Sequence, residues 1–202
     1  MAEPTFRLGH PSPGPSEPKA IKVFAGIWCP FAHVGLRCVV ERRAELRRED
    51  VVLHVRAWPL ELVNGAPLDP EATARHIQEL RAQVAPDLFV GFDPNHFPTT
   101  TLPALAWVHA AYEMDVKRGE AVSLALRDAL FDDGVDISDP DALASIVRAE
   151  GVHSFDATDE QAVLADWREE KKRCQRLATL LLRRRRCVLS IAQHPQGRNR
   201  AS

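Results

Sequence analysis

Hydrophobic positions along the 202-residue chain follow two regimes. Near the start, the short apolar run Ile21-Lys22-Val23-Phe24-Ala25-Gly26-Ile27 has the β-branched and aromatic content of a buried strand. The spacing then turns helical: Phe31, Val34, Val39 and Leu46 form a loose apolar stripe, and Glu41, Arg42, Arg43, Glu45, Arg47 and Arg48 form the outer face, up to a stop near Asp50. Val51-Val52-Leu53-His54-Val55-Arg56-Ala57-Trp58 predicts a second strand, ended by Pro59, which has no donor for a ladder. Strand, helix, strand in this order implies a right-handed parallel crossover.

After a loop at Asn64-Gly65-Ala66-Pro67 the pattern is helical for about a hundred residues. Asp69 before Pro70 starts a helix that runs through Ile77 and Leu80 toward Pro86. A looped stretch from Asp87 to Thr101 follows. Pro103–Arg118 reads as a helix closed by Gly119, and Glu120–Asp132 as another closed by Gly134. Asp139-Pro140 opens a third, ended by Gly151. Thr158 with Gln161 three residues on is a capping-box signature for a helix reaching at least Lys172. The pattern predicts a helical insert, about residues 66–157, set into an α/β core.

Composition changes this picture at the ends. At 45% hydrophobic and 27% charged the chain is an ordinary globular one, with no membrane-length apolar run. Residues 1–20, with Pro4, Pro11, Pro13, Pro15 and Pro18, lack a signal-peptide core and predict a disordered leader, so a cytoplasmic location is expected. The net charge of −2 hides a split: ten basic and no acidic groups from Lys171 onward, against 16 basic and 28 acidic groups before it. Such a basic tail admits a non-enzymatic binding protein as an alternative function, although nucleic acid is not the expected partner.

Candidate chemistry centres on Trp28-Cys29-Pro30-Phe31-Ala32-His33. Pro30 suits the first helical position, which leaves Cys29 at the cap, where unpaired N–H groups and the positive end of the helix dipole favour thiolate over thiol. A free cysteine is commonly a small buried hydrophobe; the strand-to-helix position before proline favours a nucleophile instead. His33, four residues on and on the same face, either supports the thiolate as an imidazolium or is a partly exposed histidine without a role. Trp28 and Phe31 flank the sulfur, as an apolar platform for substrate or as packing, and packing is the preferred reading for Phe31. Cys38 sits nine helical residues away, about 13 Å and out of phase, beyond reach as a resolving thiol. Cys174 and Cys187 lie in the basic tail. His54, His76, His96, His109 and His153 have no ligand spacing, and Asp132-Asp133-Gly134-Val135-Asp136 reads as a helix end, so no metal site is expected.

With these elements in place, the chain resembles the DsbA-like branch of the thioredoxin superfamily, over about Ile21 to Lys172. Within that branch it looks like FrnE-type oxidoreductases, 2-hydroxychromene-2-carboxylate isomerases and kappa-class glutathione transferases. The motifs that carry the likeness are Trp28-Cys29-Pro30-Phe31-Ala32-His33, Arg56-Ala57-Trp58-Pro59-Leu60-Glu61-Leu62 and Leu130-Phe131-Asp132-Asp133-Gly134-Val135-Asp136-Ile137, with Asp139 and Leu143 following. The resemblance implies a thioredoxin-like α/β fold with a helical insert and a thiol-dependent oxidoreductase. Cys29 and His33 would be its catalytic residues, and Trp28, Pro30 and Phe31 would line the substrate. No bound cofactor is implied; glutathione is a candidate co-substrate, and protein or low-molecular-weight thiols and disulfides are the expected partners.

Two departures follow. Dithiol members carry Cys-x-x-Cys, whose second sulfur resolves the mixed disulfide; here that place is Ala32, so Cys29 would act alone. Transferases and isomerases of the branch bind glutathione, often with Ser in place of the first Cys, and stand as the alternative activity. The family also ends in a Gly-x-Pro loop with a cis-proline, two strands and a helix, none of them legible after Arg173. Codons compatible with residues 174–202, read one base later, spell a Gly/Ser-Pro loop and a run of Phe. The tail is therefore expected to be a reading-frame change. The thioredoxin-like domain is expected over residues 21–173, without legible closing strands, with an exposed sheet edge and poor stability.

Overall fold

The structure is a computed structural model that describes residues 18–154 and 160–176. Strand β1 (Lys19–Ala25), helix α1 (Pro30–Glu45) and strand β2 (Val51–Ala57) form the expected unit, with β1 parallel to β2 and Lys19 in register with Val51. β1 begins two residues earlier than its apolar run. Gly26-Ile27-Trp28 is spent instead on the turn into α1, where Cys29 N donates to Gly26 O at 3.3 Å. The leader before residue 18, the tail after residue 176, with Cys187, and Thr158 with its capping box lie outside the described residues.

The insert consists of α2 (Leu60–Asn64), α3 (Pro70–Gln83), α4 (Leu102–Met114), α5 (Val116–Phe131) and α6 (Pro140–Ala149); residues 160–176 form a further helix, α7. α2 has no counterpart in the expected elements. Its Glu61 Oε1 accepts from Thr101 N at 2.7 Å and Thr101 Oγ1 at 2.8 Å, which caps the start of α4. Asp69 and Asp139 cap α3 and α6 as their Asp-Pro pairs predict, Asp69 accepting from Ala72 N at 2.7 Å. Gly134, with φ of +68°, ends the α5 region as expected.

The break between α4 and α5 is not at Gly119. Asp115 leaves helical geometry and its side chain accepts from Lys117 N and Arg118 N, so the chain reverses four residues earlier. Gly119 lies within α5 because a Cβ there would overlap the Tyr112 ring; the glycine allows α4 and α5 to touch.

The apolar stripe read along α1 also shifts. Phe31, Val39 and Leu46 are exposed, whereas Pro30, His33 and Leu36 are buried. A histidine occupies the inward face, which an apolar count skips. The main core joins Ile27 and Trp28 to α4, α5 and α6, and a smaller one joins Ala25 and Leu36 to Leu53 and Val55.

Backbone groups of β2 that do not serve β1 are taken by side chains. Arg43 Nη1 donates to Val51 O at 2.9 Å, Glu120 Oε2 accepts from Leu53 N at 2.7 Å, and the Tyr112 hydroxyl accepts from Val55 N at 2.8 Å and donates to Leu53 O at 3.0 Å. Burial pushes the Tyr112 phenol up to about 12, so it stays protonated and able to donate. Among the described residues the sheet has only these two strands, and β1 shows Ile21 and Phe24 to solvent at 47% and 39% exposure.

Candidate functional site

Cys29 is the N-cap residue of α1, with extended backbone (φ −87°, ψ 111°), Pro30 at the first helical position, and its carbonyl accepting from His33 N at 3.1 Å. Its side chain makes no capping hydrogen bond and its thiol is free and half-buried, so the sulfur is uncommitted at the positive end of a 16-residue helix. Cys38 and Cys174 are also free and are exposed.

Of the two flanking aromatics, Trp28 packs and Phe31, for which packing is the preferred reading, does not. Trp28 is fully buried and stacks on Phe97, with centroids 5.6 Å apart and planes at 7°, so it is core and not a substrate platform. Phe31 is 56% exposed beside His76, with centroids 5.7 Å apart, and is the ring left facing solvent. Pro30 is buried and sets the helix start.

His33 differs from both readings of it. It is fully buried, with Phe89 and Phe131 at 5.2 and 5.0 Å between ring centroids. Burial pushes its pKa down to about 4; Asp132 opposes the shift, and Arg37 and Arg127 add to it. The ring is therefore neutral near pH 7 and supplies no imidazolium charge to Cys29.

A cation does lie behind Cys29, at a residue the sequence reading passed over. Arg127 on α5 is 1% exposed. Its Nη1 donates to Ser123 O and Ser123 Oγ, both at 2.8 Å; its Nη2 donates to Ala25 O at 3.2 Å and Gly26 O at 3.3 Å. The Gly26 carbonyl thus receives both Arg127 and the Cys29 amide. Burial lowers the Arg127 pKa to about 10, offset by Tyr112 and Cys29, so the guanidinium remains charged at neutral pH. All four hydrogen-bond partners are neutral. Glu120, Ser123 and Arg127 recur at spacings of three and four, which reads as a solvated face; here that face is buried against the strand ends.

Next to this, His33 Nε2 stands 3.2 Å from Asp132 Oδ2 without hydrogen-bond geometry, and Asp132 Oδ1 accepts from Phe89 N at 2.5 Å. Asp128 Oδ2 pairs with Arg37, while its Oδ1 is buried without a partner. His33, Asp128 and Asp132 bring ligand atoms within 4.8 Å of one another. The three are far apart in sequence order from any histidine spacing that would announce a metal site.

Among the described residues no helix is long and apolar enough to cross a membrane. No curated protein matches the chain. A family model described as the DSBA-like thioredoxin domain spans residues 20–179, from β1 through the insert to α7. The parallel β1–α1–β2 unit with its helical insert is thus an α/β thioredoxin-like fold, and the chain belongs to the DSBA-like thioredoxin domain family.

Proposed function

We propose that the protein is a thiol-dependent oxidoreductase that works through one cysteine, Cys29, by forming mixed disulfides. Membership of the family supports an activity from its oxidoreductase, isomerase and transferase group. The observation that carries the finer reading is the uncommitted Cys29 sulfur at the N-terminus of α1, with the buried Arg127 cation fastened to the turn just before it. A sulfur without a hydrogen bond at a helix N-terminus is available as a nucleophile, and the thiolate is the form that attacks.

In the proposed reaction the Cys29 thiolate attacks one sulfur of a substrate disulfide. A Cys29–sulfur bond forms as the substrate S–S bond breaks, and the departing thiolate takes a proton from solvent. Ala32 stands where a resolving cysteine would be, so an external thiol such as glutathione attacks the mixed disulfide and restores Cys29. Phe31, two residues after Cys29, offers an exposed apolar ring, and Pro30 holds the turn.

The test is reduction of a small glutathione mixed disulfide with glutathione as reductant, on wild type and Cys29→Ser. Loss of turnover with a trappable adduct on Cys29 is expected. Turnover unchanged by Cys29→Ser would overturn the reading in favour of a glutathione transferase or isomerase. Alkylation of Cys29 by iodoacetamide across pH gives a second readout.

A further inference from the structure

We propose that His33, Asp128 and Asp132 form a binding site for one divalent first-row transition cation, between α1 and the C-terminal end of α5. The proposal is independent of the disulfide chemistry at Cys29.

Two kinds of observation meet here. The first is convergence: one imidazole nitrogen and two carboxylate oxygens lie within 4.8 Å of one another, with Nε2 and Asp132 Oδ2 only 3.2 Å apart. Metal bonds of about 2.1 Å to imidazole and carboxylate put neighbouring ligand atoms about 3 Å apart and opposed ones about 4.2 Å apart. The His33–Asp132 pair already has the spacing of neighbours, and Asp128 places an oxygen within 4.8 Å of both.

The second observation is that these buried atoms lack hydrogen bonds, His33 Nε2 having only its 3.2 Å contact with Asp132 Oδ2. The His33 side chain is fully buried, yet neither ring nitrogen has a hydrogen-bond partner, and Asp128 Oδ1 is buried and unpartnered as well. A buried polar atom left without a hydrogen bond costs about 1–3 kcal/mol, and two of these, His33 Nε2 and Asp128 Oδ1, belong to the same cluster and call for a group they share; Nδ1 points elsewhere. Another hydrogen-bond donor would serve one or two of them; a cation serves Nε2 and both carboxylates at once. The ring is neutral near pH 7, the state that presents a lone pair to a metal.

Charge favours a divalent ion and limits its affinity. Asp128 and Asp132 offset a charge of +2, while Arg37 holds the other oxygen of Asp128 and the buried Arg127 lies on the same side of the fold. One nitrogen with two oxygens suits ions such as Mn(II), Fe(II) or Zn(II). The Asp128 and Asp132 side chains are 30% and 22% exposed, so the cluster lies near the surface although His33 Nε2 and Asp128 Oδ1 are buried.

The test uses the full chain, stripped with chelator, titrated with Mn(II) and followed by the loss of the free-ion electron paramagnetic resonance signal. Mn(II) is chosen because it prefers oxygen donors, so the four cysteines do not compete for it. One saturable ion per chain is expected, weakened at least about tenfold by Asp132→Asn and by Asp128→Asn, and unchanged by Cys29→Ser. Arg37→Gln should tighten it, because the competing cation is removed and Asp128 is released. Absence of saturable binding in the wild type, or binding of equal strength in both Asn variants, overturns the proposal. Weakening by Arg37→Gln would overturn it too. Should one Asn variant fail to fold by circular dichroism, the other decides.

Discussion

Removing one hydroxyl, Tyr112→Phe, tests how the helical insert is fastened to the sheet. The ring keeps its contact with Gly119 and its stack on His54, 4.4 Å between centroids, so no cavity is made. What disappears is the oxygen that accepts from Val55 N and donates to Leu53 O. Both residues are core: Leu53 is fully buried and Val55 is 4% exposed. An unsatisfied buried donor or acceptor costs about 1–3 kcal/mol; these two bonds are part-buried, so at about 1–2 kcal/mol each the two groups together should cost about 2–4 kcal/mol. For a chain of this size that lowers the melting midpoint by about 6–12 °C at the middle of the range. Urea denaturation should show a lower midpoint at unchanged slope, and the Val55 amide should lose hydrogen-exchange protection selectively. A change below about 0.5 kcal/mol with Val55 still protected would refute the reasoning, because the strand would then be satisfied by some other group.

Three further outcomes are expected. Arg127→Met should slow alkylation of Cys29 at neutral pH, because the turn before Cys29 loses the cation that holds the Ala25 and Gly26 carbonyls, while Arg127→Lys retains most of the rate; equal rates in wild type and Arg127→Met would remove Arg127 from the site's chemistry. In chelator-treated protein, His33 has a folded pKa of about 4 against 6.5 unfolded, so only the unfolded state takes up its proton as pH falls. Its contribution to stability is complete above pH 6.5 and is lost toward pH 4, about 2 kcal/mol between pH 7 and 5; His54, also lowered by burial, acts in the same direction, and a denaturation series in which His33→Gln keeps the full slope would contradict this. Gly119→Ala should destabilise by at least about 1–3 kcal/mol through overlap with Tyr112, read by thermal melting, and a neutral result would show that α4 and α5 separate at little cost.

Much of the local structure was legible because it depends on neighbours in the chain. The Asp-Pro pairs marked the starts of α3 and α6, Gly134 and Gly151 marked ends, and the β1–α1–β2 unit followed from an apolar run, a change of period and a second run. The errors lie where distant contacts decide. Gly119 looked like a terminator because glycine commonly is one, yet it stays helical since Asp115 caps α5 earlier and Tyr112 needs the space. α2 was not foreseen because five residues carry no period to read.

For the site, the sequence by itself determined that a cysteine ends the turn before a helix with proline in its first position and with no second cysteine at Ala32; these facts are covalent order and local backbone preference. Only the tertiary structure decided what surrounds that sulfur. It buried Trp28 and left Phe31 in solvent, made His33 a neutral core ring, and brought Arg127, Asp128 and Asp132 from about a hundred residues away to the base of α1. The physical reason is that burial and electrostatic pairing depend on which faces of α1 and α5 meet, and a polar residue on an inward face has the same spacing as one on an outward face.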